Sequence, residues 1–127
     1  ARLHAHGAVD AGYGAATIVR EKGHPTGLPT RPFPIAIPHA DAVGVNRSAL
    51  AVACMAEPVI FLNMGDPDEE LAVEIVLLLA NNSPEEQVRA LQNLATVFGD
   101  PEKLAELHAL SVPAEIVAWL KREITPV

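Results

Sequence analysis

The run Leu71–Ala80 is apolar at every position but Glu74, and it constrains the fold more than any other stretch of the chain. Val73, Ile75 and Val76 are β-branched, which favours extended backbone over helix, so the run predicts a central strand whose direction the residues leave open. A second near-continuous apolar run, Ala49–Met55, reads as a strand covered on both faces. The short run Val59-Ile60-Phe61-Leu62 follows, closed by the turn signal Asn63-Met64-Gly65-Asp66-Pro67. Ile35-Ala36-Ile37 reads as a further strand. Pro38 stops it, because proline has no N–H for a sheet ladder, and His39 is left at the strand end.

Between these runs lie helical signals. Val9–Lys22, rich in alanine with apolar Val9, Tyr13, Ala16, Ile18 and Val19, predicts a helix that stops at Gly23. His24–Pro34 holds four prolines and Gly27, a density that predicts a surface loop, incompatible with helix or central strand. Ser83-Pro84-Glu85-Glu86 is a helix start: a capping hydroxyl, a first-turn proline, and carboxylates at the positive end of the dipole. Val88, Leu91, Leu94, Ala95 and Phe98 make its predicted inner face, and Gly99 ends it. Asp100-Pro101-Glu102 restarts the pattern through Leu104, Leu107 and Leu110. Ser111–Glu115 opens a last helix with Ile116, Val117 and Leu120 inward.

A chain of 127 residues fits one domain, taken as 1–127. Nine Lys and Arg against 16 Asp and Glu give a formal charge of −7, which argues against nucleic acid or an anionic membrane surface as partner. The single cysteine, Cys54, permits no internal disulfide and is expected in the core. No apolar stretch approaches the roughly 18 to 20 residues of a membrane span, and the start has no signal-peptide pattern, so a reducing, cytoplasmic setting is expected. The chain opens as if in the middle of a helix, so a segment ahead of Ala1 is expected to be missing.

The chemistry narrows to His39. The five histidines show no metal-ligand spacing, and neither a glycine-rich phosphate loop nor a nucleophile elbow is present, so neither metal nor cofactor is expected. Imidazole offers an unprotonated nitrogen near neutral pH and can act as a nucleophile. An arginine can hold phosphate oxygens in a fork, and Arg20, Arg31 and Arg47 are the arginines nearest His39 in sequence, Arg31 reading as a solvated charge.

Arg20-Glu21-Lys22, Pro25-Thr26-Gly27-Leu28 and Ile35-Ala36-Ile37-Pro38-His39-Ala40-Asp41 resemble the active-site region of the fructose–mannitol type enzyme IIA components of the bacterial sugar phosphotransferase system. Leu3 through Glu21 resembles that family's first helix, the later elements follow its order, and the Pro-Thr-Gly-Leu-Pro-Thr loop is most similar to galactitol-type members. The resemblance implies an α/β fold, a single domain with a mixed β-sheet sandwiched between helices.

It also implies roles. His39 matches the histidine that receives the phosphoryl group, and Arg20 an arginine that binds phosphate oxygens. Thr26 and Arg47 are candidate phosphate-binding residues. At Gln87 the chain departs from the family pattern, in which many relatives have a second active-site histidine. Gln87 can still donate a hydrogen bond to phosphate or to His39, and the alternative is an exposed first-turn residue. The expected partners are the histidine-containing phosphocarrier protein as donor, a IIB component with an acceptor cysteine, and the membrane IIC component indirectly. A regulatory module of the family's nitrogen-related branch is the alternative function, with a plain interaction domain carrying an inert His39 behind it.

Overall fold

The computed structural model describes residues 2–124; Ala1 and residues 125–127 of the predicted domain lie outside the described residues. Its backbone is a hairpin of two long strands, β3 (Ala49–Asn63) and β4 (Asp66–Ala80). At the hairpin end the Gly65 N–H donates to Asn63 Oδ1 at 2.8 Å, while Asn63 Nδ2 donates to Glu69 at 2.6 Å. On its other side β4 pairs in parallel with β2 (Ile35–Ala36), Ile35 standing opposite Ile75. The run predicted to be a central strand is therefore central, and it starts at Asp66, ahead of Leu71.

The predicted loop His24–Pro34 contains a strand as well. β1 (Gly27–Leu28), which no proline interrupts, runs antiparallel to β2, and Gly27 also pairs in parallel with Asn63 of β3. The order β1-β2-β4-β3 thus closes on itself. Closure depends on the missing side chain of Gly27, because a Cβ there would sit 2.5 Å from the backbone oxygen of Leu62.

Helices cover both faces. Ile35, Ile37, Ile75, Leu77 and Leu79 pack with Phe33 against Ala90, Leu94 and Phe98 of α3 (Pro84–Phe98), Leu104 and Leu107 of α4 (Pro101–Ala109), and Trp119 and Leu120 of α5 (Pro113–Glu123). On the other face Ala40 and Ala80 pack with Leu3 of α1 (Arg2–Ala5), Ala8, Val9, and Tyr13 of α2 (Tyr13–Gly23). This is the expected single-domain α/β arrangement, a mixed sheet between helices. No helix among the described residues is long and apolar enough to cross a membrane.

The Ser83 start of α3 is as expected: extended backbone, the hydroxyl accepting from Glu86 N–H at 3.2 Å, and Pro84 next. Several expectations need correction. The predicted helix Val9–Lys22 begins only at Tyr13, and the segment resembling a single first helix is two. Gly7, at φ +76°, closes α1, its N–H bonded to His4 O and that of Ala8 to Leu3 O, and Val9 instead bridges to Val45. The runs Ala49–Met55 and Val59–Leu62 form one strand with an irregularity between Cys54 and Val59; Leu50 and Val52 pack against one core cluster and Ala49 and Ala51 against the other, but from Ala53 onward the strand is mostly exposed. The helices cover β2 and β4 and leave β3 at the periphery, so Cys54 is exposed, outside the core. The inner face of α3 is Ala90, Leu94 and Phe98, with Val88 and Ala95 outward, and α5 turns Trp119 inward and Val117 outward. The expected Leu91, Leu94 and Phe98 of α3 and Ile116 and Leu120 of α5 do pack with the core, so the misplaced positions are Val88, Ala95 and Val117.

Candidate active site

His39 is held in place by the strand before it and the residue after it. Pro38 has no N–H, but its carbonyl accepts from Leu79 N–H at 3.0 Å, and this continues the β2–β4 pairing to a bridge between His39 and Leu79. Ala40 is then fixed from two sides. Its N–H donates to the Tyr13 hydroxyl oxygen at 3.0 Å, that hydroxyl donates to Leu79 O at 2.8 Å, and Gln87 Nε2 donates to Ala40 O at 2.7 Å. Helices α2 and α3 thus grip the backbone beside His39 from opposite faces of the sheet.

The imidazole is oriented from within its own strand. His39 Nδ1 lies 2.8 Å from Ile37 O, and a carbonyl only accepts, so Nδ1 carries the proton. Nε2 of the neutral ring is then the unprotonated nitrogen. The residue is 6% exposed, which leaves a small opening for a reacting group.

Beside it lies an open cleft of about 890 Å³ between α2 and the segment after His39, which His39 itself does not line. Its walls include Tyr13, Val19 and Arg20 of α2, with Ala40, Asp41 and Val43 facing them. Arg20, in the last turn of α2, has a buried Nε without a partner. Burial pushes the Tyr13 phenol above its usual range, with the Ala40 hydrogen bond pulling the other way, so the hydroxyl keeps its proton.

The other site candidates are placed differently from expectation. Thr26 is buried, but its N–H and hydroxyl both donate to the Glu21 carboxylate, at 2.7 and 2.6 Å. Its hydroxyl proton is committed to tying the loop to α2, which leaves none for a phosphate. Arg47 is exposed and donates from Nη2 to His6 O at 3.0 Å, so its guanidinium serves the end of α1. Gln87 is not a free surface residue: one N–H of its amide donates to the Ala40 carbonyl at 2.7 Å, beside His39. Arg31 is exposed in its loop. Two structural contributors went unread in the sequence, Tyr13 and Glu21. The one available signal was that Tyr13 is the chain's only tyrosine, set in an alanine-rich helix.

The family model described as phosphoenolpyruvate-dependent sugar phosphotransferase system, EIIA 2, matches residues 1–123. The galactitol-specific EIIA component of the phosphotransferase system of Escherichia coli K12 is 31% identical over 106 residues, which are 84% of this chain and 70% of that protein. In fold, the chain is similar to IIA mannitol of Escherichia coli, with TM-score 0.70 and 21% identity over 94% of this chain and 81% of that one. It is also similar to that organism's enzyme IIA of the mannitol system solved in complex with phosphorylated enzyme IIB, with TM-score 0.71 and 23% identity over 95% and 81%. With a family match over nearly its whole length and a fold to go with it, the chain belongs to the type 2 EIIA family of the phosphoenolpyruvate-dependent sugar phosphotransferase system, whose members are phosphotransferases carrying a phosphohistidine.

Proposed function

We propose that this protein is a cytoplasmic phosphocarrier for uptake of a galactitol-like sugar, with His39 as the phosphoryl acceptor, and that residues 1–127 act as one unit. The carrying observation is the Nδ1–Ile37 hydrogen bond, which leaves Nε2 as the nucleophilic nitrogen at a strand end. Nε2 attacks the phosphorus of a phosphohistidine on the histidine-containing phosphocarrier protein. A new P–N bond forms on His39, and the donor's P–N bond breaks with its electron pair returning to the donor ring. Nδ1 keeps its proton, donated to the Ile37 carbonyl, so the ring does not turn during transfer.

In the second transfer, a cysteine thiolate of a IIB component attacks the same phosphorus, an S–P bond forms, and the P–N electrons return to Nε2. Arg20 faces the cleft with an unpartnered Nε, which suits it to carry the phosphoryl charge in both states. Val19 and Val43 on the cleft walls are 70% and 87% exposed, and this apolar surface with Arg20 and Asp41 beside it suits a brief protein–protein contact. The likeness to an enzyme IIA solved with its phosphorylated IIB, and to a galactitol-specific relative, supports the choice of acceptor and sugar class.

Incubation with phosphoenolpyruvate, enzyme I and the phosphocarrier protein tests this by intact mass. The parent gains one acid-labile phosphoryl group and His39→Ala, folded, gains none. Uptake by His39→Ala would refute the assignment.

A further inference from the structure

Among the described residues, the buried side-chain polar atoms without a hydrogen-bond partner belong to two residues only, Arg20 and Asn81. Arg20 shares the cleft with Ala40 and Asp41, directly after His39. Asn81 follows β4, whose Leu79 bridges to His39. Both unsatisfied groups thus lie on segments that adjoin the neighbours of the same histidine.

Asn81 is the more demanding of the two. It is 0% exposed, and neither its Nδ2 nor its Oδ1 finds a partner, although the next residue, Asn82, is exposed and bonded to Ser48. A carboxamide buried in this way is costly, and the cost goes unrecovered in the resting state. Asn81 is the first residue after β4, two past Leu79, so its backbone lies about 7 Å along the chain from the bridge to His39. In a parallel bridge the side chains of His39 and Leu79 share a face, the one on which Ile37 and Leu79 meet α3.

We propose that Asn81 is a phosphoryl-binding residue whose carboxamide N–H donates to a phosphoryl oxygen once His39 is loaded. This rests on His39 being the acceptor. Unloaded, the amide waits without a partner; loaded, it makes a charge-assisted hydrogen bond inside a dry site. The effect is differential, so Asn81 shifts the transfer equilibrium toward the loaded protein, which a residue with a merely structural role cannot do.

The test is the equilibrium of phosphoryl exchange between the phosphocarrier protein and this chain, read by intact mass on both proteins. Asn81→Leu, close in shape but without polar atoms, is expected to melt higher unloaded and to hold the phosphoryl group roughly ten- to a hundred-fold less favourably, the scale of one hydrogen bond to a charged group. Asn81→Ser, which keeps a donor, recovers part of the loss. An exchange equilibrium in Asn81→Leu equal to the parent's overturns the proposal. Nitrogen-15 spectra of the parent need no variant: the Asn81 side-chain amide protons are expected to move downfield on loading, and unmoved signals overturn it too. Failure of the His39 reading looks different, because His39→Ala would then load as the parent does.

Discussion

Removing one oxygen atom, in Tyr13→Phe, is expected to weaken both the fold and the site. The hydroxyl is 2% exposed as part of its residue, accepts from Ala40 N–H at 3.0 Å and donates to Leu79 O at 2.8 Å. Phenylalanine fills the same space and leaves a buried N–H with no acceptor and a carbonyl with one bond fewer. An orphaned buried N–H costs about 1–3 kcal/mol and the bond lost at Leu79 O about 1 kcal/mol more, so the two together amount to about 2–4 kcal/mol. With an unfolding entropy of about 2.1 cal/mol/K per residue, 1 kcal/mol in a chain of 127 residues corresponds to about 4 °C, and the expected fall in Tm is roughly 8–16 °C. Alkaline titration gives an independent reading. Burial raises the Tyr13 pKa above 10 in the folded state, so the stabilisation it brings is complete below pH 10 and is lost as pH rises through the raised value. Tyr13 is the only tyrosine, so the phenolate absorbance reports it alone. A Tyr13→Phe protein that melts with the parent, or a phenol titrating at its ordinary value in the folded protein, would refute this account of the clamp.

Two further substitutions separate chemistry from architecture. Arg20→Ala is expected to slow phosphoryl transfer by roughly ten- to a thousand-fold, on the scale of one or two charge-assisted contacts, with Arg20→Lys recovering only part because an ammonium lacks the fork. Rapid-quench kinetics unchanged in Arg20→Ala would remove it from the site. Gly27→Ala drives a methyl group to 2.5 Å from Leu62 O, backbone that cannot swing aside, and is expected to destabilise by about 1–3 kcal/mol in denaturant titration. An unchanged midpoint would mean that β1 does not close the sheet as described.

What the residues made legible was local or strongly patterned. The Ser83 cap of α3 needs only its own four residues, and the Leu71–Ala80 strand announces itself by an apolar run. The site histidine was legible because Pro38 marks the end of the apolar run of β2, although the pairing with β4 reaches past Pro38 to His39. Burial of β3 was not legible, since it depends on where two helical layers stop, and Cys54 has the composition of a core residue at a position no helix reaches. Partner choice was equally hidden. Thr26 could bond a phosphate or a carboxylate, and only the end of α2 brings Glu21 to it. Gln87 stands at the second-histidine position of the resemblance, yet its amide is used by a backbone carbonyl that no spacing rule connects to it.

The most direct measurement is the site of the phosphorus–nitrogen bond. With nitrogen-15 histidine in the protein and the phosphoryl group loaded from phosphoenolpyruvate, phosphorus–nitrogen coupling is expected on Nε2 of His39, while Nδ1 keeps its proton in the hydrogen bond to Ile37 O. Coupling to Nδ1, or to His4, His6, His24 or His108 in place of His39, would contradict the assignment and the orientation of the ring on which it depends.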